Sequence, residues 1–94
     1  MKAASLYVIA YDSPNDRRRT KLHKLLKGFG AWTQYSLFEC WLTDTQLVKL
    51  HTRLDKLLKE SEDSVRIYPL CARCAGEVET IGSPRPQPDA VFMV

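Results

Sequence analysis

The pattern of apolar and polar positions predicts a strand and then a helix at the start of the chain. Residues 5–11 are almost continuously apolar and rich in β-branched and aromatic side chains, which is typical of a buried strand. Ser13 suits the N-cap of a helix, and Pro14 suits its first position. Gly28 and Gly30 favour the end of this helix. Its apolar positions recur at the spacing of one helix face: Leu22, Leu25, Leu26 and Phe29.

The next part of the pattern predicts a pair of strands and a second helix. Residues 31–42 are aromatic and β-branched with partial alternation, and their length favours two strands that meet near Ser36. Thr43 and Gln46 have the spacing of a capping box, which places the start of a helix there. The apolar stripe of this helix consists of leucines: Leu47, Leu50, Leu54, Leu57 and Leu58.

The remaining residues predict one clear strand and a separate C-terminal segment. Residues 64–70 read as a strand with Pro69 near its end. Residues 77–81 are predicted to form a short further strand. We expect a domain over residues 1–82, followed by a proline-rich linker and apolar tail over residues 83–94 that contact the dimer or a partner.

The element order predicts the fold. Strand, helix, strand, strand, helix, strand is the order of the ferredoxin-like βαββαβ plait, an α+β fold. Its antiparallel sheet carries both helices on one face, and here a C-terminal strand or tail is added. The other face of the sheet stays uncovered, and a chain of 94 residues has a thin core. We therefore expect a homodimer in which the second subunit covers that face.

Composition restricts the class of protein. Apolar residues make up 45% of the chain and charged residues 27%, which is typical of a globular domain and excludes a disordered one. The longest apolar run falls far short of the roughly 18 residues that a membrane span needs. Three cysteines and the absence of a signal-peptide pattern lead us to expect a protein of the reducing cytoplasm, without a membrane partner.

The positive charge is concentrated in the first predicted helix. The stretch 12–27 holds six cations and two anions, whereas the rest of the chain holds eight cations and nine anions. Three successive arginines at a helix start oppose the helix dipole, so helix stability does not explain them. A basic block on one element is expected where a protein binds phosphate backbones, although a solvated helix face is the alternative. The candidate nucleic-acid-binding residues are Arg17, Arg18, Arg19 and Lys21.

Asp12 is the candidate catalytic and metal-binding residue. It stands where the first strand ends and the basic helix begins, and such a carboxylate can hold a divalent ion that faces phosphate. A simple turn-capping role is the alternative. A single carboxylate is too few for a magnesium site, so a symmetric dimer would have to supply a second. His23 and His51 lie among charged residues and are expected on the surface rather than in catalysis.

Cys71 and Cys74 have metal-ligand spacing but form only one pair. A closed zinc site needs four ligands, and Cys40 and two distant histidines complete it poorly. Two chains could each contribute one pair, which leaves a metal site between subunits open. We favour a structural or incidental role for this pair.

Four segments together resemble one known family. The segments YVIAYD (7–12), DRRRTKLHKLLKGFG (16–30), QYSLFEC (34–40) and DSVRIY (63–68) are similar, in order and spacing, to the CRISPR-associated protein two family, the small adaptation protein of those immune systems. The resemblance implies a ferredoxin-like homodimer. It also implies a role in spacer acquisition as a scaffold for the CRISPR integrase, and a magnesium-dependent endonuclease activity on single-stranded RNA or double-stranded DNA.

The resemblance also assigns roles to residues. It implies that the metal carboxylate is Asp12, with one Mg²⁺ shared by the two Asp12 of a dimer, and that the basic helix residues are Arg17 to Arg19. Tyr11 and Phe38 support the family motif, and the C-terminal segment 90–94 would cross to the other subunit or dock the integrase.

The sequence departs from the family pattern at Ser13–Pro14 and in the proline-rich stretch 83–88. A related toxin family of the same fold cleaves messenger RNA. A toxin-type endoribonuclease and a non-catalytic RNA-binding plait are therefore the alternative functions.

Overall fold

The computed structural model of the protein describes residues 4–82. The predicted tail, including any C-terminal strand, lies outside the described residues. Seven elements follow one another along the chain: β1 (Ser5–Asp12), α1 (Asp16–Lys27), β2 (Ala31–Gln34), β3 (Leu37–Leu42), α2 (Asp44–Leu57), β4 (Ser64–Leu70) and α3 (Ala72–Gly76).

The four strands form one antiparallel sheet in the order β2-β3-β1-β4. β1 lies in the centre, where Ile9 faces Phe38 of β3 on one side and Ile67 of β4 on the other. Asp12, the last residue of β1, pairs with Ser64, the first residue of β4. This order and direction confirm the predicted ferredoxin-like plait.

The core lies between one face of the sheet and the helices α1 and α2. Its fully buried members come from alternate positions of the strands and from the apolar stripes of the helices. They include Ile9, Leu22, Leu26, Phe29, Phe38, Cys40, Leu42 and Leu50. No helix of the described residues has the length and apolar character that a membrane crossing requires.

The start of α1 differs from the prediction. Asn15, not Ser13, is the N-cap: its side-chain oxygen accepts a 3.0 Å hydrogen bond from the backbone N–H of Arg18. Pro14 therefore lies in the loop before the helix, which begins at Asp16. Ser13 is buried, and its hydroxyl donates to Asp63 instead of capping the helix. A partner far away in sequence thus replaced the local capping bond.

The start of α2 confirms the capping box. Thr43 Oγ1 accepts from the backbone N–H of Gln46 at 3.2 Å, and Gln46 Oε1 accepts from the backbone N–H of Thr43 at 2.8 Å. These two bonds satisfy two of the backbone donors that a helix start leaves without partners. They end β3 cleanly, so that α2 folds back over the sheet.

The predicted strand over residues 77–81 is wrong. The chain instead forms the short helix α3 directly after β4, with Cys71 as its N-cap and Ala75 buried. After the helix the chain pairs with no strand in the described part of the molecule. Ile81 is fully exposed, so the alternating pattern that predicted a strand meets no apolar surface to cover it.

The second face of the sheet is not covered by α1 or α2. Alternation along β1 places Leu6, Val8, Ala10 and Asp12 on this face, because their neighbours Ile9 and Tyr11 point into the core. The helix α3 contacts β1 and β4, and Leu6 is buried.

Two alternate residues of β3, Glu39 and Trp41, lie on the same face of the sheet as Val8 and Ala10. Trp41 Nε1 is a buried donor without a hydrogen-bond partner among residues 4–82. Burial raises the pKa of Glu39. Both polar groups thus lie on the face of the sheet opposite α1 and α2.

Gly30 fixes the distance between the end of α1 and the sheet. A Cβ at this position would lie 2.6 Å from the carbonyl oxygen of Glu39 and 2.8 Å from Cα of Cys40, and would also collide with Cys40 Sγ. Only glycine lets the chain pass this close to β3. The C-terminal end of the basic helix is therefore held directly against the sheet.

Candidate nucleic-acid interface

Asp12 is exposed at the end of the central strand. Within residues 4–82 its carboxylate has no hydrogen bond and no ion pair, and no group of three or more potential metal ligands exists there. A carboxylate oxygen is a suitable ligand for Mg²⁺, which usually takes one or two carboxylates and keeps several waters. The described residues of one chain supply one such carboxylate, which alone is too few for a magnesium site.

A buried carboxylate, Asp63, organises the loop beside Asp12. Ser13 Oγ donates to Asp63 Oδ1 at 2.6 Å, Arg18 Nε donates to Oδ2 at 2.7 Å, and the backbone N–H of Lys59 donates to Oδ2 at 2.9 Å. The hydrogen bonds from Arg18 and then Ser13 lower the pKa of Asp63 to about 2. Asp63 therefore stays ionised at neutral pH and joins the loop to the turn before β4.

The structure separates the predicted basic residues into two groups. Arg18 is turned to Asp63 and also donates to Glu62 Oε1 at 2.8 Å. Arg19 donates to the backbone oxygen of Ser13 at 2.9 Å and pairs with Asp16. These two guanidinium groups are held by the protein itself.

Arg17 and Lys21 form the second group. Both are exposed, and neither has an ion pair or a hydrogen bond through its side chain within residues 4–82. They lie one turn apart on α1, and Lys24 continues the row, so the three cations share one side of the helix. A shallow groove of ≈ 500 Å³ runs along this side. We call Arg17, Lys21 and Lys24 the basic row.

The family-motif residues Tyr11 and Phe38 belong to the core. Tyr11 is 7% exposed and its hydroxyl forms a 2.8 Å hydrogen bond with Nδ1 of His23. Burial raises the pKa of Tyr11, which keeps the phenol protonated. The rings of Phe38 and His23 meet edge to face at 5.1 Å. Of the two histidines expected on the surface, His51 is exposed, whereas His23 is half-buried in this aromatic cluster.

The cysteine pair stands apart from this interface, at the opposite end of β4 from Ser64. Cys71 and Cys74 are both exposed, and Cys71 Sγ accepts from the backbone N–H of Cys74 at 3.4 Å. This bond and the neighbouring thiol lower the pKa of Cys71. No third potential ligand joins the pair within the described residues, so one subunit alone offers no zinc site there.

Asp63 and Tyr35 lie in the family segments 63–68 and 34–40, but the sequence assigned neither of them a role. Asp63 gave no local signal because its partners Ser13 and Arg18 are far away along the chain. Tyr35 gave a signal that was not used: it stands in the middle of the segment where β2 had to turn into β3. It is 87% exposed and adopts a positive φ of 47°.

Comparison with known proteins identifies the family. The model of the family described as CRISPR associated protein Cas2 matches residues 5–78. The chain belongs to the Cas2 family.

Two curated Cas2 proteins show the extent of the likeness. A Synechocystis protein named CRISPR-associated endoribonuclease Cas2 3 is 48% identical over 79 residues, which cover 84% of this chain and 86% of that protein. A Thermus thermophilus protein named CRISPR-associated endonuclease Cas2 2 is 47% identical over 77 residues, which cover 82% of this chain and 81% of that protein.

A solved assembly extends the comparison to structure. A chain of a partial Cas6-RT-Cas1–Cas2 complex superposes on this Cas2 chain with a TM-score of 0.70 at 27% identity. The match covers 86% of this chain and 94% of the other. The fold described above is therefore also found in a chain of a complex whose name includes both Cas1 and Cas2.

Proposed function

We propose that this Cas2-family protein is a CRISPR adaptation protein that binds nucleic-acid backbones and scaffolds the integrase, Cas1, during spacer acquisition. The observation that carries the proposal is the basic row, Arg17, Lys21 and Lys24. Arg17 and Lys21 make no internal ion pair within the described residues, whereas Arg18 and Arg19 do. Cations that the protein leaves without partners are the ones free to neutralise phosphates.

In this proposal the four predicted basic residues have different roles. Arg17 and Lys21 contact phosphate. Arg18 acts as a positioning residue, because its ion pairs with Glu62 and Asp63 fix the first turn of α1. Arg19 holds the loop through the carbonyl of Ser13 while its side chain stays partly exposed beside the row. The interface reads no sequence, because phosphate contacts are the same for every base.

The proposed scaffold is a homodimer formed through the uncovered face. Three features support this: the partly exposed apolar positions Val8 and Ala10 of β1, the buried donor Trp41 Nε1 that lacks a partner in the described residues, and the half-exposed Tyr68 of β4. Dimer formation across this face would also bring the two Asp12 carboxylates toward each other, because Asp12 is the last residue of β1 and lies on this face.

A magnesium-dependent endonuclease activity is the second part of the proposal. The two curated relatives are named as nucleases, and the carboxylate of Asp12 is exposed and free of internal partners within residues 4–82. Magnesium bound between two Asp12 would polarise a phosphate and lower the pKa of bound water. The chain's own contribution is to hold Asp12 at the end of a paired strand and to carry the basic row on the helix that follows it.

The backbone-binding proposal is tested by fluorescence anisotropy with duplex DNA of unrelated sequences at several salt concentrations. Replacing both Arg17 and Lys21 with Ala should weaken every duplex equally and reduce the salt slope by about two ionic contacts. The matched control replaces Lys49 and Lys56 of α2 with Ala. Both lysines are exposed, and their replacement removes the same charge. Equal weakening by both double variants would refute a defined interface and leave only a general effect of net charge.

The nuclease proposal is tested with Asp12→Asn. Loss of a metal-binding carboxylate should lower magnesium-dependent cleavage by orders of magnitude while the dimer and duplex affinity persist. We expect the same variant to support spacer integration with Cas1, because scaffolding uses the basic row. Cleavage that persists in Asp12→Asn would remove Asp12 from the active site.

A further inference from the structure

We propose that a second groove, between α1 and the turn that joins β2 to β3, binds single-stranded nucleic acid and stacks an unpaired base on Tyr35. The inference rests on the proposed function, since it assigns a ligand form to a basic surface next to the basic row. It goes further by naming the groove that holds an unpaired segment and the aromatic ring that contacts its base.

The groove combines positive charge with aromatic rings. It has a volume of ≈ 550 Å³ and opens beside the row that faces the duplex in the proposed function. Lys24 borders both grooves. Among the lining residues, Lys24 and Lys27 are the cations available for binding and Tyr35 is the exposed ring, while Tyr11 and His23 also line the groove.

Tyr35 is presented rather than packed. Its ring is 87% exposed, and its backbone has a φ of 47°, a conformation that a bulky residue rarely adopts. The turn that carries it is braced, because Trp32 Nε1 donates to the carbonyl of Tyr35 at 2.8 Å and Thr33 Oγ1 donates to the carbonyl of Leu37 at 3.2 Å. Folding buries little of this residue, so a ligand is the partner that its position fits.

Aromatic rings and cations lie in and next to the groove that Tyr35 lines. Trp32 is 53% exposed and meets His23 edge to face at 6.0 Å, while His23 is itself fixed by Tyr11. Lys24 and Lys27 are exposed on the last turns of α1 and have no ion pair within residues 4–82. A charged groove that follows the backbone, together with rings on which bases stack, is how proteins hold single strands.

This arrangement distinguishes single strands from duplexes. In a duplex the faces of the bases are occupied by their neighbours, so Tyr35 could contact only an end or a distorted step. In a single strand an unpaired base can lie on the ring while adjacent phosphates meet Lys24 and Lys27. The two surfaces of α1 would therefore serve different forms of nucleic acid: the basic row a duplex, and this groove an unpaired segment.

The test compares three probes by fluorescence anisotropy: a short oligouridylate, an abasic strand of the same length, and a duplex. Tyr35→Asn removes the ring but suits a positive φ, and Tyr35→Phe is the matched control that keeps the ring. We expect Tyr35→Asn to weaken oligouridylate binding by about 5- to 100-fold, and Tyr35→Phe to change it less than about twofold. Binding of the abasic strand and of the duplex should be unchanged in both variants.

A second measurement on the unmodified protein does not depend on variants. The tryptophan fluorescence, to which Trp32 and Trp41 both contribute, should change on binding oligouridylate and stay constant with the abasic strand, because only the former places a base near the exposed Trp32. The inference is overturned if Tyr35→Asn binds oligouridylate as the unmodified protein does, or if it loses duplex and abasic binding to the same extent. An acidic peptide that competes with the oligouridylate in the absence of any base-dependent signal would overturn it as well.

The result also separates this inference from the proposed function. In one outcome, oligouridylate binding is lost in Tyr35→Asn while the Arg17 and Lys21 replacements leave duplex binding unchanged. That result would support single-strand binding by the groove and reject duplex binding by the basic row. The reverse pattern would keep the basic row and reject the groove. Failure of the unmodified protein to bind any of the three probes would overturn both.

Discussion

The hydroxyl of Ser13 donates a 2.6 Å hydrogen bond to Oδ1 of Asp63, a residue 50 positions later. This bond joins the loop that follows Asp12 to the turn that precedes β4. Asp63 also accepts from Arg18 in the first turn of α1, so three separate parts of the chain meet at one buried carboxylate. The position of the candidate metal residue relative to the basic helix depends on this junction.

Ser13→Ala should destabilise the protein. The variant removes one donor from a buried, charged acceptor, and hydrogen bonds to charged groups typically contribute about 1.5–3 kcal/mol. Urea unfolding should show a lower free energy of unfolding by about that amount. Ser61→Ala, at an exposed position of the neighbouring turn, should change stability by less than about 0.5 kcal/mol. Equal stability of the two variants would mean that the Ser13 bond contributes nothing.

Asp63 should make the protein sensitive to acid. Its pKa is about 2 in the folded protein, below the 3.8 of an unperturbed carboxyl, so the unfolded chain binds more protons between these values. The stabilisation is fully present above about pH 4 and is lost as the pH falls toward about 2. Unfolding free energies measured over this range should fall with pH in the unmodified protein, and this part of the fall should be absent in Asp63→Asn.

The control for the acid effect is Glu60→Gln, which changes the same charge at an exposed position of the same turn. It should keep the full acid dependence. If Asp63→Asn and Glu60→Gln show the same pH profile, the Arg18 and Ser13 contacts do not govern the titration.

The uncovered sheet face should carry the dimer contact. Tyr68→Glu places a charge on this face at β4, where the unmodified side chain is 48% exposed in a single chain. Because a charge buried in a contact without a partner is costly, the variant should shift the mass measured by light scattering from dimer to monomer. Val48→Glu, at a 64% exposed site on α2, is the control and should leave the mass unchanged. A dimer that survives Tyr68→Glu would exclude this face.

The three cysteines should differ sharply in reactivity. Hydrogen bonds from Cys74 lower the pKa of the exposed Cys71, whereas burial raises the pKa of Cys40 to about 12. The thiolate is the reactive form, so iodoacetamide at pH 7 should modify Cys71 first and leave Cys40 unmodified in the folded protein. Peptide mass spectrometry after short exposures measures the order. Modification of Cys40 at the rate of Cys71 would contradict the structure.

Local signals predicted most of the fold because they are satisfied locally. The break between β2 and β3 at Ser36 and the Thr43–Gln46 capping box both depend on neighbours a few residues away. Phe38 could be linked to the family motif because a motif is read from neighbouring residues. Its place in the aromatic cluster with His23 could not be predicted, because His23 lies on another element.

The errors and omissions arise where distant contacts override local preferences. Ser13 has an ordinary N-cap signal, but Asp63 offers its hydroxyl a charged acceptor, and Asn15 takes the cap. Three successive arginines look equivalent in the sequence, yet only Arg17 is left without an internal ion pair in the described part of the chain, because acidic residues lie within reach of Arg18 and Arg19. Which cation faces outward is a property of the packed molecule.

Gly30 has a consequence for engineering this scaffold. The end of α1 cannot be lifted from β3 by a larger side chain at this position, because the backbone of Glu39 and Cys40 already fills the space. The turn at Tyr35 differs, because its side chain stands in solvent and a longer loop there costs little, about 0.6 kcal/mol for each doubling of its length. Chimeric proteins can therefore exchange this turn between relatives, while the close approach of Gly30 to β3 has to be kept.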